Sequence, residues 1–277
     1  MPLIYLLAHP ASHSLSPLMH RAAFAALGIE GRYVAWDVPP AALPKAVARL
    51  REPEVLGANV TIPHKQLVMP LLDEVTDAAL AIGAVNTVIN DEGWLLGHNT
   101  DAPGFLQALL ETGFDPAGRR VVLLGAGGSA RAVAYALLTA GVTDLAVYNR
   151  SPDKAQAMAQ DFRALGVVKV LNPEGLEPAV RTAELLINTT SVGMVQGGVD
   201  PDLSPLPQGL LPYHGLVCDI IYRPVQTRLL REAAAAGLRT LGGVAMLVYQ
   251  GAASFTAWFG AEAPVGAMRA AVEEALG

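Results

Sequence analysis

The chain has 277 residues, 52% of them hydrophobic and 16% charged, enough apolar material for two modest domains with separate cores. A formal net charge of −6 speaks against a nucleic-acid surface or a polybasic membrane patch. The one cysteine, Cys218, excludes an internal disulfide and fits a reducing compartment, and its apolar surroundings Leu216–Ile221 read as a buried strand.

The opening Met-Pro-Leu-Ile-Tyr has no positively charged n-region, so no signal peptide is expected. Leu3 to His9 reads as a strand, followed by a Ser/Pro turn and a helix from Leu18 to Leu27 that stops at Gly28. Ser16, with Pro17 behind it, reads as the N-cap of that helix. Ser14 has no capping role in this reading. Two hydroxyls two residues apart in a turn can both aim at one small anion. Arg32 to Val38 alternates like a strand and Pro40 to Leu50 like a helix.

Leu56 to Ile62 reads as a third strand, with Asn59 and Thr61 on one face. Pro63 suits a first helical position, which puts Lys65 in the first turn of a helix. The positive end of that helix would lower an ammonium pKa and suit proton transfer. A solvent-facing lysine reads equally well. Asp77 to Ile82 is helical and ends at Gly83, and Ala84–Asn90 with Trp94–His98 forms a hairpin about Asp91-Glu92-Gly93. Thr100 or Asp101 reads as the N-cap of a helix from Phe105 to Glu111.

The stretch Val121 to Ala132 is a buried strand that turns at a glycine cluster into an Ala-rich helix. Its pattern, G-x-G-G-x-A, is the Ala-ended dinucleotide fingerprint. Gly125 permits the tight turn, Gly127 leaves room for a pyrophosphate, and Ser129 and Ala130 let the helix lie close on the strand. The helix start offers free N–H groups to phosphate. The next strand, Asp144 to Tyr148, ends in Asn149-Arg150-Ser151, with Lys154 a turn later. An acidic residue there would mark NAD, whereas two cations suit the 2′-phosphate of NADP.

A helix to Leu165, a strand Val167–Leu171, a helix Leu176–Thr182 and strands Glu184–Thr190 and Leu216–Tyr222 follow. This alternation describes a doubly wound parallel sheet, with Gly125, Asn149, Thr190 and Tyr222 at strand ends rimming one cleft. After Leu241-Gly242-Gly243 the helices Val244–Phe259 and Pro264–Leu276 remain, and these return to the first domain. The longer one is interrupted by Gln250, Ser254 and Thr256 and is too short to span a membrane. The expected fold class is α/β. A discontinuous substrate domain covers residues 1–101 and 241–277, and a Rossmann-type NADP domain covers 102–240. The six histidines show no metal-ligand spacing.

With these residues in view, the sequence resembles the shikimate dehydrogenase family along essentially its whole length. The likeness rests on Ser14–Pro17, Asn59–Lys65, Gly83–Thr87, Asn99–Asp101, Gly125–Ala130, Asn149–Ser151, Asn188–Met194, Tyr222–Pro224 and Gln250. The resemblance implies NADPH-dependent, reversible reduction of 3-dehydroshikimate to shikimate, a step of aromatic amino-acid biosynthesis, with Lys65 and Asp101 as the catalytic pair. It implies that Ser14, Ser16 and Tyr222 hold the substrate carboxylate, while Asn59, Thr61, Asn86, Asp101 and Gln250 read the ring hydroxyls. It assigns NADP to Gly125, Ala126, Gly127, Gly128, Ser129, Asn149, Arg150, Ser151, Lys154, Thr190, Ile220 and Gly243, with Asp77 approaching the nicotinamide side. Ser151 and Lys154 depart mildly from the family pattern, since Lys154 stands where a second, forked arginine is common. The implied enzyme is cytoplasmic, a monomer or homodimer, with small-molecule partners only. Two alternatives stand beside it. A quinate/shikimate dehydrogenase of broader specificity is disfavoured by Arg150. A non-catalytic NADPH-binding sensor is disfavoured by intact Lys65 and Asp101.

Overall fold

The computed structural model describes residues 1–195 and 200–277. The chain begins with β1 (Leu3–Ala8), α1 (Ser16–Leu27), β2 (Arg32–Asp37), α2 (Leu43–Arg49), β3 (Val55–Val60), β4 (Glu74–Val75), α3 (Asp77–Ile82), β5 (Thr87–Asp91) and β6 (Trp94–His98). Helix α4 (Asp101–Glu111) leads to β7 (Arg120–Leu124), α5 (Gly128–Thr139), β8 (Asp144–Tyr148), α6 (Pro152–Asp161), β9 (Val168–Val170) and α7 (Pro173–Thr182). Then come β10 (Leu185–Asn188), β11 (Leu216–Asp219), α8 (Arg228–Ala235), β12 (Arg239–Leu241), α9 (Gly243–Phe259) and α10 (Val265–Leu276). Contacts divide the chain into two compact units. One holds Met1–Gly104 and Leu247–Ala275, the other Phe105–Met246.

The first unit is built on a six-stranded mixed sheet of order β2-β1-β3-β5-β6-β4. β1 runs parallel to β2 and β3, whereas β5 is antiparallel to β3 and β6. The interior strand β1 is buried along nearly its whole length, as a strand covered on both faces must be. Leu43 and Val47 of α2, with Leu50 just past its end, close one core against Leu7, Val60, Val88 and Leu95. The penultimate helix α9 also packs here: Phe255 and Phe259 lie 6.3 and 5.7 Å from the Phe24 ring of α1, and the Trp258 indole donates to the Val88 carbonyl at 2.9 Å. Those contacts answer where the strand-free C-terminus goes, since its apolar face has this sheet to bury against.

The second unit holds six parallel strands in the order β12-β11-β10-β7-β8-β9. Its first strand, β7, is central, and the chain winds outward to β8 and β9, then returns to β10 on the other side. This is the doubly wound order, with the switch point between β7 and β10. Four local expectations need correction. The strand read as Leu216–Tyr222 ends at Asp219. The helix expected to Leu165 stops at Asp161 and gives way to a 3-10 turn, Phe162–Ala164. Helix α7 starts at Pro173 rather than Leu176, because the Asn172 side chain caps it by accepting from Gly175 N at 2.9 Å. The short strands β4 and β12 escaped the sequence reading; two or three residues are too few to show a period.

Candidate active site

In the first unit, Lys65 Nζ lies 2.5 Å from Asp101 Oδ2, and the two side chains are only 12% and 6% exposed. Each is brought there by local structure that sequence periodicity misreads. No helix starts at Pro63. After β3 the chain instead folds through turns, with His64 N–H donating to Thr61 O (2.7 Å), Val68 N–H to His64 O (2.9 Å) and Val85 N–H to Lys65 O (2.8 Å). The buried His64 ring anchors this segment, its Nε2 lying 2.7 Å from Val38 O, and burial pulls its pKa below the usual histidine range. Only a 3-10 turn at Met69–Leu71 is helical in this segment, so Lys65 does not sit in the first turn of an α-helix of its own.

Asp101 is the first residue of α4, but it is not the cap. Asn99 supplies that, its Oδ1 accepting from Ala102 N at 3.2 Å. Thr100 and Asp101 are thereby released to face the interior. Asn86 Nδ2 donates to Asp101 Oδ1 at 2.9 Å, so one carboxylate oxygen meets an amide and the other an ammonium. Gln250 Oε1 lies 3.4 Å from the same Asn86 amide. It gets there because α4 and α9 cross at Gly104, where a Cβ would fall 2.5 Å from Gln250 N. Lys65, Asn86, Asp101 and Gln250 therefore form one cluster.

The other expected substrate residues of this unit are placed differently. Ser16 is not the N-cap read from sequence, and Ser14, given no capping part there, bonds the helix start. Leu15 occupies the N-cap position of α1, Ser16 is its first helical residue, and the Ser14 hydroxyl accepts from Ser16 N at 3.2 Å. Thr61 lies just past β3, half-buried, with its N–H bonded to Leu7 O at 3.0 Å. β3 ends at Val60, but the Thr61 N–H bond to Leu7 O carries its pairing with β1 one residue further. Asn59 is buried, and its polar atoms all have protein partners. Its Oδ1 accepts from Tyr33 Oη (2.7 Å), and its Nδ2 donates to Asn86 O (3.2 Å), Thr87 Oγ1 (3.2 Å) and Ser254 Oγ (3.0 Å). Burial pushes the Tyr33 phenol well above its ordinary pKa, which keeps it a donor. Asp77 opens α3 on the surface, behind a Thr76 cap.

In the second unit the glycine turn follows β7. Gly125 has φ +114°, a backbone conformation that disfavours any side chain, and a Cβ there would sit 2.5 Å from Thr189 Oγ1. Gly127 holds the N-cap of α5 with no side chain capping it, and a Cβ added there would meet nothing within 4 Å. The space beside Gly127 is open at the start of α5, which suits an anion. At the neighbouring strand end, Asn149 Nδ2 donates to Ser151 O at 2.8 Å, and Arg150, Ser151 and Lys154 are exposed around the start of α6. Neither Arg150 nor Lys154 has an ion-pair partner among the described residues. A backbone cradle beside two uncommitted cations fits a dinucleotide carrying an extra phosphate.

The loops after β10 and β11 are tied by a residue the sequence reading passed over, Asp219. Its Oδ1 accepts from Asn188 Nδ2 and Ile221 N, both at 3.1 Å, and its Oδ2 from Thr227 Oγ1 at 2.8 Å. Asn188 Oδ1 in turn accepts from Thr190 N (3.0 Å) and Thr190 Oγ1 (2.7 Å). Thr190, Ile220 and Tyr222 therefore stand on loops held by one buried carboxyl, and Gly243 lies close against the Ile220 carbonyl. Burial pushes Asp219 up to about 6, against the pull of its hydrogen bonds. An acidic residue inside an otherwise apolar strand was the available signal.

Comparison with known proteins agrees with this geometry. Residues 6–88 match the family model described as shikimate dehydrogenase substrate binding domain, residues 108–195 that of shikimate / quinate 5-dehydrogenase, and residues 243–273 that of the shikimate 5'-dehydrogenase C-terminal domain. The chain is 48% identical to a shikimate dehydrogenase (NADP(+)) of Moorella thermoacetica over 99% of its own length and 94% of the relative's. It is 50% identical to one of Symbiobacterium thermophilum over 98% and 93%. The crystal structure of shikimate 5-dehydrogenase from Thermus thermophilus in complex with NADP(H) and shikimate superposes with a TM-score of 0.91 at 44% identity, covering 100% of both chains. On fold, local geometry and similarity together, this chain belongs to the shikimate dehydrogenase family.

Proposed function

We propose that the chain catalyses the reversible, NADPH-dependent reduction of 3-dehydroshikimate to shikimate, with Lys65 and Asp101 handling the proton at the C3 oxygen. The observation that carries this is the desolvated Lys65–Asp101 pair, held by Asn86 on its remaining carboxylate oxygen. When NADPH is bound it supplies the hydride. The alkoxide that develops at C3 needs a cation and a proton beside it, and the Lys65 ammonium can provide both. In the oxidative direction neutral Lys65 takes the hydroxyl proton. Asp101 keeps the ammonium aimed and shares the proton, so pH–rate values belong to the pair.

Thr61, Asn86, Asp101 and Gln250 are assigned the ring hydroxyls. Groups that donate and accept at fixed angles reject analogues that leave them unpaired. Ser14, Ser16 and Tyr222 are assigned the substrate carboxylate. Asn59 is reassigned from substrate contact to support, because its own partners occupy it fully. For NADP, the Gly125–Ser129 turn is assigned the pyrophosphate and Asn149, Arg150, Ser151 and Lys154 the 2′-phosphate. Thr190, Ile220 and Gly243 are assigned to NADP as well, with Asp77 approaching the nicotinamide side. This reading places the enzyme in the cytoplasm, acting on small molecules as monomer or homodimer. Following nicotinamide absorbance with shikimate plus NADP against quinate plus NAD tests it. Preference for the first pair is expected; turnover confined to the second would replace the assignment.

A further inference from the structure

Three hydroxyls stand behind the Lys65–Asp101 pair, drawn from β5, the start of α4 and the middle of α9. Thr87 and Ser254 are fully buried and Thr100 is nearly so. Their oxygens form a triangle, with Thr87–Ser254 at 2.8 Å, Thr100–Ser254 at 3.0 Å and Thr87–Thr100 at 3.2 Å. Amide protons enter this triangle from both sides. Asn59 Nδ2 reaches Thr87 and Ser254, and Asn86 Nδ2 reaches Thr100 at 2.9 Å. Two acceptors drain it. Ser254 Oγ donates to the Gln250 carbonyl at 2.9 Å, and Asn86 Oδ1 lies 3.1 Å from Thr87 Oγ1 and 3.2 Å from Thr100 Oγ1.

The orientation of the Asn86 amide follows from this. The Thr100 backbone N–H can only donate, and it meets Asn86 Oδ1 at 2.7 Å. The amide nitrogen must then face Asp101 Oδ1. A flipped amide would set NH₂ against the Thr100 N–H and a carbonyl against the carboxylate. With the amide so set, Thr87 and Thr100 hydroxyls can donate to Oδ1 and Thr100 Oγ1 accepts from Nδ2, so the triangle holds both ends of the amide. In a low-dielectric interior such a network is stiff when fully satisfied and costly when broken.

We propose that Thr87, Thr100 and Ser254 act as a positioning unit that locks the Asn86 amide, and through it the Asp101 carboxylate, in the geometry that meets Lys65. The inference deepens the oxidoreductase reading above and rests on it for its kinetic consequence. None of the three is a catalytic residue.

Thr87→Val and Ser254→Ala each remove one hydroxyl at little change in volume, and Thr87→Ser keeps it. Two measurements on the full chain separate position from packing. The first is exchange of the Asn86 side-chain amide protons by NMR without ligand. The second is the pH profile of kcat for shikimate oxidation with NADP. Thr87→Val and Ser254→Ala are expected to speed amide exchange and lower kcat, each on the order of tenfold. They should also shift the kcat profile while leaving KM for NADP unchanged. Thr87→Ser should restore the parent profile. Unchanged Asn86 exchange in the Val and Ala variants, or an equal loss in Thr87→Ser, overturns the proposal. If Thr87→Val does not fold, Ser254→Ala against Thr87→Ser decides between the same outcomes. Faster Asn86 exchange in the variants beside a parent chain with no turnover would sink the oxidoreductase reading alone, and normal parent turnover with unchanged Asn86 exchange in the variants would sink the positioning unit alone.

Discussion

The two units prepare for chemistry in opposite ways. Around Lys65 and Asp101, nearly every polar atom has a protein partner, Asn86 and Asp101 are buried, and Lys65 and Gln250 are mostly so. Around Gly127 and Arg150 the space at the helix start is open, and Arg150 and Lys154 are exposed with no ion-pair partner among the described residues. The contrast follows from what each must meet. A proton must move between fixed atoms, so the groups that move it are held in advance. A phosphate brings its own charge and acceptors, so a cradle of exposed N–H groups and free cations suffices.

Breaking the held cluster should have the largest effect. Lys65→Met should cut kcat by roughly 10²- to 10⁴-fold, the usual loss for a general acid–base group, with NADPH affinity nearly unchanged. Steady-state kinetics beside direct NADPH titration checks this, and retained turnover would make Lys65 structural.

The second effect concerns the loop clamp. Native Asp219 binds its proton more readily than the unfolded chain does, its pKa rising from 3.8 to about 6. Its favourable contribution is thus complete below the unfolded value and is lost as pH rises through the folded one. Asp219→Asn removes that loss. Relative to the parent, the variant should gain stability between about pH 4 and pH 7, by at most about 3 kcal/mol. Urea midpoints measured across that range test it; parallel curves for the two proteins would refute it.

The open site should yield more gently. Arg150→Ala should lower the preference for NADPH over NADH by roughly ten- to a hundredfold, through lost charge-assisted hydrogen bonds, with kcat little changed. Equal discrimination in parent and variant would remove the 2′-phosphate assignment.

Much of this contrast was legible in the sequence, though unevenly. The open site is local: Gly125 to Ala130 and Asn149 to Lys154 are short runs whose residue types announce the turn and the cations. The doubly wound order followed from long apolar strands such as Val121–Leu124. The held cluster is non-local. Asn59 meets Ser254 across 195 residues, and Ser254 showed in the sequence only as a polar break in an apolar helix. Local rules also misplaced three residues. Pro63 read as a helix start where turns run instead. Ser16 read as a cap, a part taken by the Ser14 hydroxyl, and Asn99 took the cap given to Thr100 or Asp101. In the last two cases the winning partner stood only two or three residues away, and several neighbouring polar residues could have served, so residue type alone did not choose among them.

The most direct measurement is a double-mutant cycle in kcat/KM for shikimate oxidation by NADP, using Lys65→Met, Asp101→Asn and the two combined. Groups that act as one unit are strongly non-additive, so the double variant should be barely slower than the worse single variant. Losses that multiply, or a single variant that keeps the parent rate, would show that Lys65 and Asp101 do not share the proton.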